Sequence, residues 1–428
     1  HRPHPEHRVR RLMARSLPMQ VAALFGAAWV LAWLTYGSVS GDALLGFDGY
    51  PLIAASAMHS VGDLLGAFGD ELMGGRYPDG RFYRPLVHLS FGLDHALGGM
   101  DPAQYSRTDL SLAALTATLL GLLAGSLAGA WSGARSRTRV LAALCTAGVY
   151  LLHHAQLEVV PYAPRRADAL ALLFVAAAAL AARRGARPAW TGALALCALL
   201  SKESGVIALP VILAASYARP GADLRAAARA TISPILGLGL GLLARTAVLG
   251  GLGGHAESGT PGRESLSAMA GSMAHAMGAA IPGGGILLGV LVLGGLVTLL
   301  RQADHQGRST ALLLLAWAMA GLVITTVSGR FHDWYALTLV APLALLAGGL
   351  LGRGPLGAAL AAALTLLVVT GQLVSPQRDT LPVAQEISRD QAERFEALIQ
   401  ATPAGEVVVF EPWVFAVATA PGTPPIFV

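Results

Sequence analysis

The sequence predicts an all-α, polytopic membrane protein of about 11 transmembrane helices, and three observations carry that reading. Of the 428 residues, 54% are hydrophobic and only 13% charged, with a mean hydropathy of +0.58. A water-soluble domain carries about 25% charged residues, so this chain has too little polar surface to cover a soluble globule. The apolar residues also fall in runs of span length, since a crossing needs roughly 20 residues. Finally, arginine is dense in the short segments between alternate runs. A large soluble enzyme, a disordered chain and a disulfide scaffold are excluded. The two cysteines, Cys145 and Cys197, lie inside apolar runs and read as small buried hydrophobes.

Seven runs are long enough to span unaided: residues 17–36, 110–131, 231–250, 281–300, 311–328, 335–351 and 356–374. Four shorter ones follow one another at 139–152, 167–182, 190–201 and 205–217. The first run lacks a small-x-small cleavage site and reads as a span, not a signal peptide. Starting from an inside N-terminus puts 17 arginines in six short inner segments, against 13 basic residues in the much longer outer ones. That is the positive-inside pattern. The N-terminus is therefore expected in the cytoplasm, and 22 of the 25 acidic residues fall outside, so any chemistry faces outward. The net charge of +5 is topological and does not point to nucleic acid. The Ala-, Gly- and Arg-rich bias is that of a GC-rich bacterial genome, with the cell membrane as location.

Two parts are expected: a transmembrane module over 1–374, with a long first outer loop at 37–109, and an outward tail over 375–428. The loop should hold amphipathic helices around 51–65 and 86–97. The Gly-rich stretch 250–271 reads as flexible. In the tail, 384–400 has helical period and 406–410 (EVVVF) reads as a strand, as at the start of a soluble α/β domain. The short runs set a depth argument. A helix of about 14 residues reaches roughly 21 Å against a hydrocarbon core of about 30 Å. With arginines pinning their inner ends, their outer ends fall below the membrane surface, where polar loops are tolerated only around a water-filled or protein-lined cavity. A recessed, outward-opening cavity floored by 153–168 and 201–204 follows.

Several residues there can carry chemistry. Asp48, in Phe47-Asp48-Gly49-Tyr50 just after the first span, can act as a general base for a hydroxyl; Asp-Gly is equally a turn signal. Arg81-Phe82-Tyr83-Arg84-Pro85-Leu86 offers guanidiniums for a phosphate or an interfacial anchor. His153 and His154 precede Glu158, with Arg165, Arg166 and Asp168 following; this spacing fits no strong zinc pattern. Ser201-Lys202-Glu203-Ser204 joins two apolar helices, and ionisable residues at membrane depth are functional hypotheses by default, although Lys202 and Glu203 also read as a structural pair. Of 30 basic residues Lys202 is the sole lysine, which marks a place where a compact ammonium is needed and a guanidinium does not serve. Arg245 lies inside a span near its outer end, either snorkelling outward or facing the cavity. A carboxylate-bearing loop facing several cations suits transfer of a group away from a phosphate leaving group.

Four of these segments, in order, resemble the GT-C superfamily of membrane glycosyltransferases, and within it the branch of protein O-mannosyltransferases and their bacterial tetratricopeptide-associated relatives. They are Tyr83-Arg84-Pro85-Leu86 with Ala96-Leu97-Gly98-Gly99-Met100-Asp101-Pro102; Leu152-His153 through Glu158-Val159-Val160 with Arg166-Ala167-Asp168; Leu200-Ser201-Lys202-Glu203-Ser204-Gly205; and Leu243-Ala244-Arg245 with Leu249-Gly250-Gly251. The likeness covers residues 20 to 350. Departures are His154 where the branch has Pro, Gln156 where it has His, Asp109 where Asn is expected, and a single loop carboxylate where a pair is common. The resemblance implies a helical bundle with a catalytic first outer loop and inverting sugar transfer from a polyprenyl-phosphate donor. It implies Asp48 as the base that deprotonates an acceptor hydroxyl, Arg84, Arg166, Lys202 and Arg245 as donor-phosphate ligands, and Glu158, Asp168 and Glu203 as groups orienting those cations. No cofactor is called for, and dependence on a divalent metal stays open. The acceptor (protein, lipid or polysaccharide) stays open, as do two rival classes: a lipid-linked substrate transporter or flippase, and a non-catalytic assembly subunit.

Overall fold

A computed structural model describes residues 5–45, 49–58, 60–72, 80–129, 136–255, 265–278, 281–301, 305–328, 331–401, 416–417 and 426–427. Among these residues seven helices are long and apolar enough to cross a membrane, and they coincide with the seven long hydrophobic runs. Many of their large apolar side chains point outward, among them Trp33, Leu236, Leu240, Ile286, Val290, Val323 and Leu366. In water that surface would be untenable; against lipid it is the ordinary outer face of a bundle.

The chain opens with α1 (Pro5–Tyr36), followed in the first loop by α2 (Gly49–Ala54), α3 (Val61–Gly66) and α4 (Pro85–Gly98). The amphipathic helix expected over 51–65 is thus two short ones. The Ser60 hydroxyl caps α3 by accepting from the Asp63 amide while the Asp63 carboxylate accepts from the Ser60 amide, a reciprocal box that starts a new helix at that point. Proline opens α4, α5 (Pro102–Gly129) and α8 (Pro188–Ser201), where its missing N–H costs nothing. Between α5 and α8 lie α6 (Ser136–Leu152) and α7 (Arg166–Arg184). Next come α9 (Ala208–Tyr217), α10 (Leu224–Ala230), α11 (Ile232–Leu249), α12 (Leu266–Gly278), α13 (Gly284–Arg301), α14 (His305–Ser328), α15 (Leu337–Leu350), α16 (Gly354–Leu373) and α17 (Gln377–Ala401).

The core is built on α5 and α15, which pack against each other and against both α6 and α7. Every residue of α15 is buried, so this helix is apolar all round and touches no lipid. The four short runs are helical as well. The fourth begins as a 3-10 turn over Glu203–Ile207 before α9 takes over.

Two differences from the sequence expectation matter for the site. The stretch 250–271, read as flexible, contributes a strand, β2 (Gly254–His255), that pairs antiparallel with β1 (Gly80–Arg81) in the first loop. It then yields α12 from Leu266. In the tail, α17 starts seven residues before the expected helix and docks on the first loop: the Gln385 side-chain amide donates to the Val39 carbonyl at 2.8 Å and the Ser388 hydroxyl to that of Leu44 at 2.9 Å. The strand expected at 406–410 lies outside the described residues; a two-residue pairing joins β3 (Ala416–Val417) to β4 (Ile426–Phe427).

Candidate active site

The site is assembled where α8 stops. Ser201 ends the helix, and Lys202 adopts an extended backbone (φ −159°, ψ 152°) before the 3-10 turn begins. That turn folds tightly over the end of α8. A Cβ on Gly205 would stand 2.2 Å from the Ala198 carbonyl, so only glycine permits the approach. The reversal sends Lys202 and Glu203 in different directions. Lys202 Nζ donates to both carboxylate oxygens of Asp168, at 2.6 and 2.7 Å. Asp168 sits in the first turn of α7, where the helix dipole favours an anion.

Glu203 bridges two guanidiniums. Arg84 Nη2 donates to its Oε2 and Arg245 Nη1 to its Oε1, each at 2.8 Å. Arg84 caps α4 ahead of Pro85. Arg245 leaves α11 one turn before its end and also donates from Nε to the Leu252 carbonyl at 2.6 Å. Gly253 makes this last contact possible. Its φ of +62° is left-handed, and a Cβ there would meet the Arg81 carbonyl at 2.6 Å. The β1–β2 pairing therefore ties the first loop to the segment that holds Arg245.

Among the described residues three cations thus face two carboxylates. The network is sheltered but not sealed: side-chain exposure is 5% for Arg245, 12% for Lys202, 16% for Arg84 and 31% for Glu203. Burial works against ionisation of Glu203, but Arg84 and Arg245 outweigh it and hold its carboxyl at about 2. Burial pulls the Lys202 ammonium below its usual value against the opposing pull of Asp168.

An aromatic wall adjoins the network. The Lys202 ammonium lies 4.8 Å from the centre of the Tyr335 ring, Arg165 sits 3.2 Å over Trp334, and His332 stacks on Trp334 at 4.3 Å. Sequence reasoning meets Trp334 and Tyr335 only within the stretch Arg330-Phe331-His332-Asp333-Trp334-Tyr335, which it reads for a further outer cation and not for its aromatics. The available signal was two aromatics at the start of a span, which reads first as a membrane-interface belt.

Comparison with known proteins adds little that is specific. No family model matches the chain, and no curated protein does. Among solved structures, the chain is similar to ArnT from Cupriavidus metallidurans in the apo state, with a TM-score of 0.47 and 17% identity over 78% of this chain. The chain spans 60% of the length of that protein.

Of the residues expected at the site, Arg84, Lys202, Arg245, Asp168 and Glu203 come together, and Asp48 lies outside the described residues. Arg166 does not join them. Its side chain is fully buried in a separate cluster, with Nη1 donating to Asp94 at 2.6 Å, Nε to Asp109 at 2.7 Å and Nη2 to the Tyr105 carbonyl at 3.1 Å. A guanidinium so enclosed, with its N–H groups already committed, has no face for a phosphate. Asp109, the departure from the family's Asn, is one of its two counter-ions.

Among the described residues Glu158 likewise makes no hydrogen bond to a cation. It accepts from the Gln377 side chain of α17 at 2.7 Å. Burial and the nearby Asp333 charge raise its carboxyl to about 7 in spite of Arg165. The adjacent histidines hold α12 in place: His153 Nδ1 accepts the Ala155 amide while its Nε2 meets the Met277 carbonyl at 3.2 Å. Burial lowers the pKa of both rings, that of His154 to about 4. Gln156, in the place of the second family histidine, donates to the Tyr150 carbonyl.

Proposed function

We propose that this chain is a membrane glycosyltransferase of the GT-C type that moves a sugar from a polyprenyl-phosphate donor to an acceptor hydroxyl at the outer face of a bacterial cell membrane. The observation that carries the reading is the network of Arg84, Lys202 and Arg245 around Asp168 and Glu203, three cations gathered in one sheltered, partly exposed place. It draws a residue from each of the four segments that resemble the family. A phosphate released from a sugar gains a negative charge, and fixed cations in a sheltered site stabilise that gain far more than water does.

The chemistry is a single displacement. The carboxylate of Asp48 takes the proton of the acceptor hydroxyl, the acceptor oxygen forms a bond to the anomeric carbon, and the bond from that carbon to the phosphate oxygen breaks. Its electron pair leaves with the polyprenyl phosphate, toward Lys202, Arg84 and Arg245, and the anomeric configuration inverts. Lys202 has three N–H donors and shares them with a single carboxylate, so it can take a phosphate oxygen without releasing Asp168. Glu203 and Asp168 keep the cations in place while the site is empty. Lateral entry of the donor from the bilayer makes a soluble nucleotide sugar unnecessary.

The test is transfer from a labelled polyprenyl-phosphate sugar in detergent. Asp48→Asn is expected to bind donor and release no label, whereas Lys202→Ala is expected to lose donor binding. A wild-type protein that neither binds nor consumes any polyprenyl-phosphate sugar removes the enzyme reading, and transport of a lipid-linked substrate would then be assayed.

A further inference from the structure

Between α1 and α5 runs a groove of about 840 Å³ whose lining changes character along its length. Gln104, Arg107, Thr108 and Ser111 stand toward one end, on the turns of α5 closest to the first loop; apart from Thr118 the rest is apolar, with Phe25 and Leu115 among its walls. From Gln104 to Thr118 the groove follows α5 for about 21 Å at 1.5 Å per residue. One leaflet of the hydrocarbon core is about 15 Å deep, so an alkyl chain can lie in the groove through its whole leaflet.

The polar end is built for an anion. Arg107 is exposed, and among the described residues its guanidinium takes no partner and no carboxylate lines the groove. A cation at the edge of the bilayer without a counter-ion invites a lipid phosphate. Thr108 and Gln104 give a second reason to regard this end as built, because their side chains donate to Asp94 at 2.7 and 3.2 Å and so hold the cluster around Arg166.

We propose that this groove binds an anionic phospholipid of the surrounding bilayer, with its phosphate on Arg107 and an acyl chain along α1 and α5. The occupant is not the sugar donor. Asp109, two positions after Arg107, faces inward to Arg166, and residues two apart on a helix point to opposite sides. A phosphate on Arg107 is thus turned away from Lys202, Arg84 and Arg245. The proposal is independent of the glycosyltransferase reading.

The experiment is native mass spectrometry of the whole protein, released from nanodiscs of equal parts phosphatidylglycerol and phosphatidylcholine. Wild type is expected to retain phosphatidylglycerol about fivefold over phosphatidylcholine, the worth of one basic residue near anionic lipid. Arg107→Gln is expected to bring that ratio to about one, and Ala22→Trp, which fills the groove from an exposed position, to lower retention of both lipids. Unchanged melting temperatures establish that both variants fold. Equal retention by wild type, or a ratio unmoved by Arg107→Gln, overturns the proposal. So does unchanged retention in Ala22→Trp, or displacement of the bound phospholipid by polyprenyl phosphate.

Discussion

Two clusters of basic and acidic side chains stand on neighbouring helices, and they solve burial in opposite ways. In one, a single guanidinium, Arg166, sits between Asp94 and Asp109 with a side-chain exposure of zero, over the rings of Phe91 and Tyr105. Asp94 is further satisfied by Gln104 and Thr108. Nothing in that cluster is left to bind. In the other, Lys202, Arg84 and Arg245 outnumber Asp168 and Glu203, and Glu203 stays open to solvent. The difference teaches that charge at membrane depth does not by itself mark a site. What marks it is access: the closed cluster has two carboxylates to one cation, but these are buried and Asp94 is bonded by Gln104 and Thr108, whereas the cations of the open cluster lie partly within reach of solvent.

Arg166→Ala tests the closed cluster and carries the largest expected effect. Removing one partner of a buried ion pair costs about 3–5 kcal/mol, because the remaining charges stay buried without compensation. The variant should lose most of its yield and melt well below wild type in detergent. Should it melt normally and fail only in donor binding, the two clusters would share one role and the contrast would collapse.

Lys202→Ala tests the open cluster. It also strands Asp168, whose side chain is 7% exposed, so the informative variant is Lys202→Ala combined with Asp168→Asn. Hydrogen bonds to charged groups are worth about 1.5–3 kcal/mol, and the double variant should bind polyprenyl phosphate about 10- to 100-fold more weakly with little change in melting temperature. Lys202→Arg should not restore binding, since a planar fork does not reproduce a compact ammonium. Rescue by arginine would mean that net charge alone is sensed.

The open cluster was more legible in the sequence than the closed one, for a physical reason. Lys202 and Glu203 announce themselves as adjacent charges between two apolar helices, Arg84 precedes an amphipathic helix and Arg245 interrupts an apolar run, so hydropathy alone finds them. Arg166 looks identical by that measure. Its fate depends on Asp94 and Asp109, which lie 72 and 57 residues away and come within reach only when α4 and α5 pack on α7. The helices themselves were readable because a bilayer demands long apolar runs. The division of 51–65 into α2 and α3, the β1–β2 pairing and the docking of α17 rest on local caps and tertiary contacts that carry no periodicity.

Gly253→Ala sharpens the comparison at the open cluster's edge. A non-glycine residue in the left-handed region costs about 1–2 kcal/mol, and the added Cβ has the Arg81 carbonyl 2.6 Å away. Loss of the β1–β2 pairing would free Arg245 from the Leu252 carbonyl. The expected result is a modest fall in melting temperature together with weaker donor binding. A variant that melts lower yet binds donor normally would show that Arg245 holds its position without this strap.

Glu158 belongs to neither cluster, and its titration gives the smallest and most specific effect. Its carboxyl is ordinary at 4.5 in the unfolded chain and raised to about 7 in the folded protein, through burial and the charge of Asp333. Between those values the folded state keeps a proton that the unfolded chain gives up, so its contribution to stability is present below 4.5, falls as pH rises, and levels off above about 7. Glu158→Gln keeps an oxygen to accept from Gln377 and removes the titration. The variant should gain on wild type by a few degrees in melting temperature as pH is raised from 4.5 to 8, with the gain complete near neutrality. Parallel melting curves across that window would mean that Glu158 is already ionised in the folded protein and that Arg165, 3.2 Å over Trp334, offsets the burial.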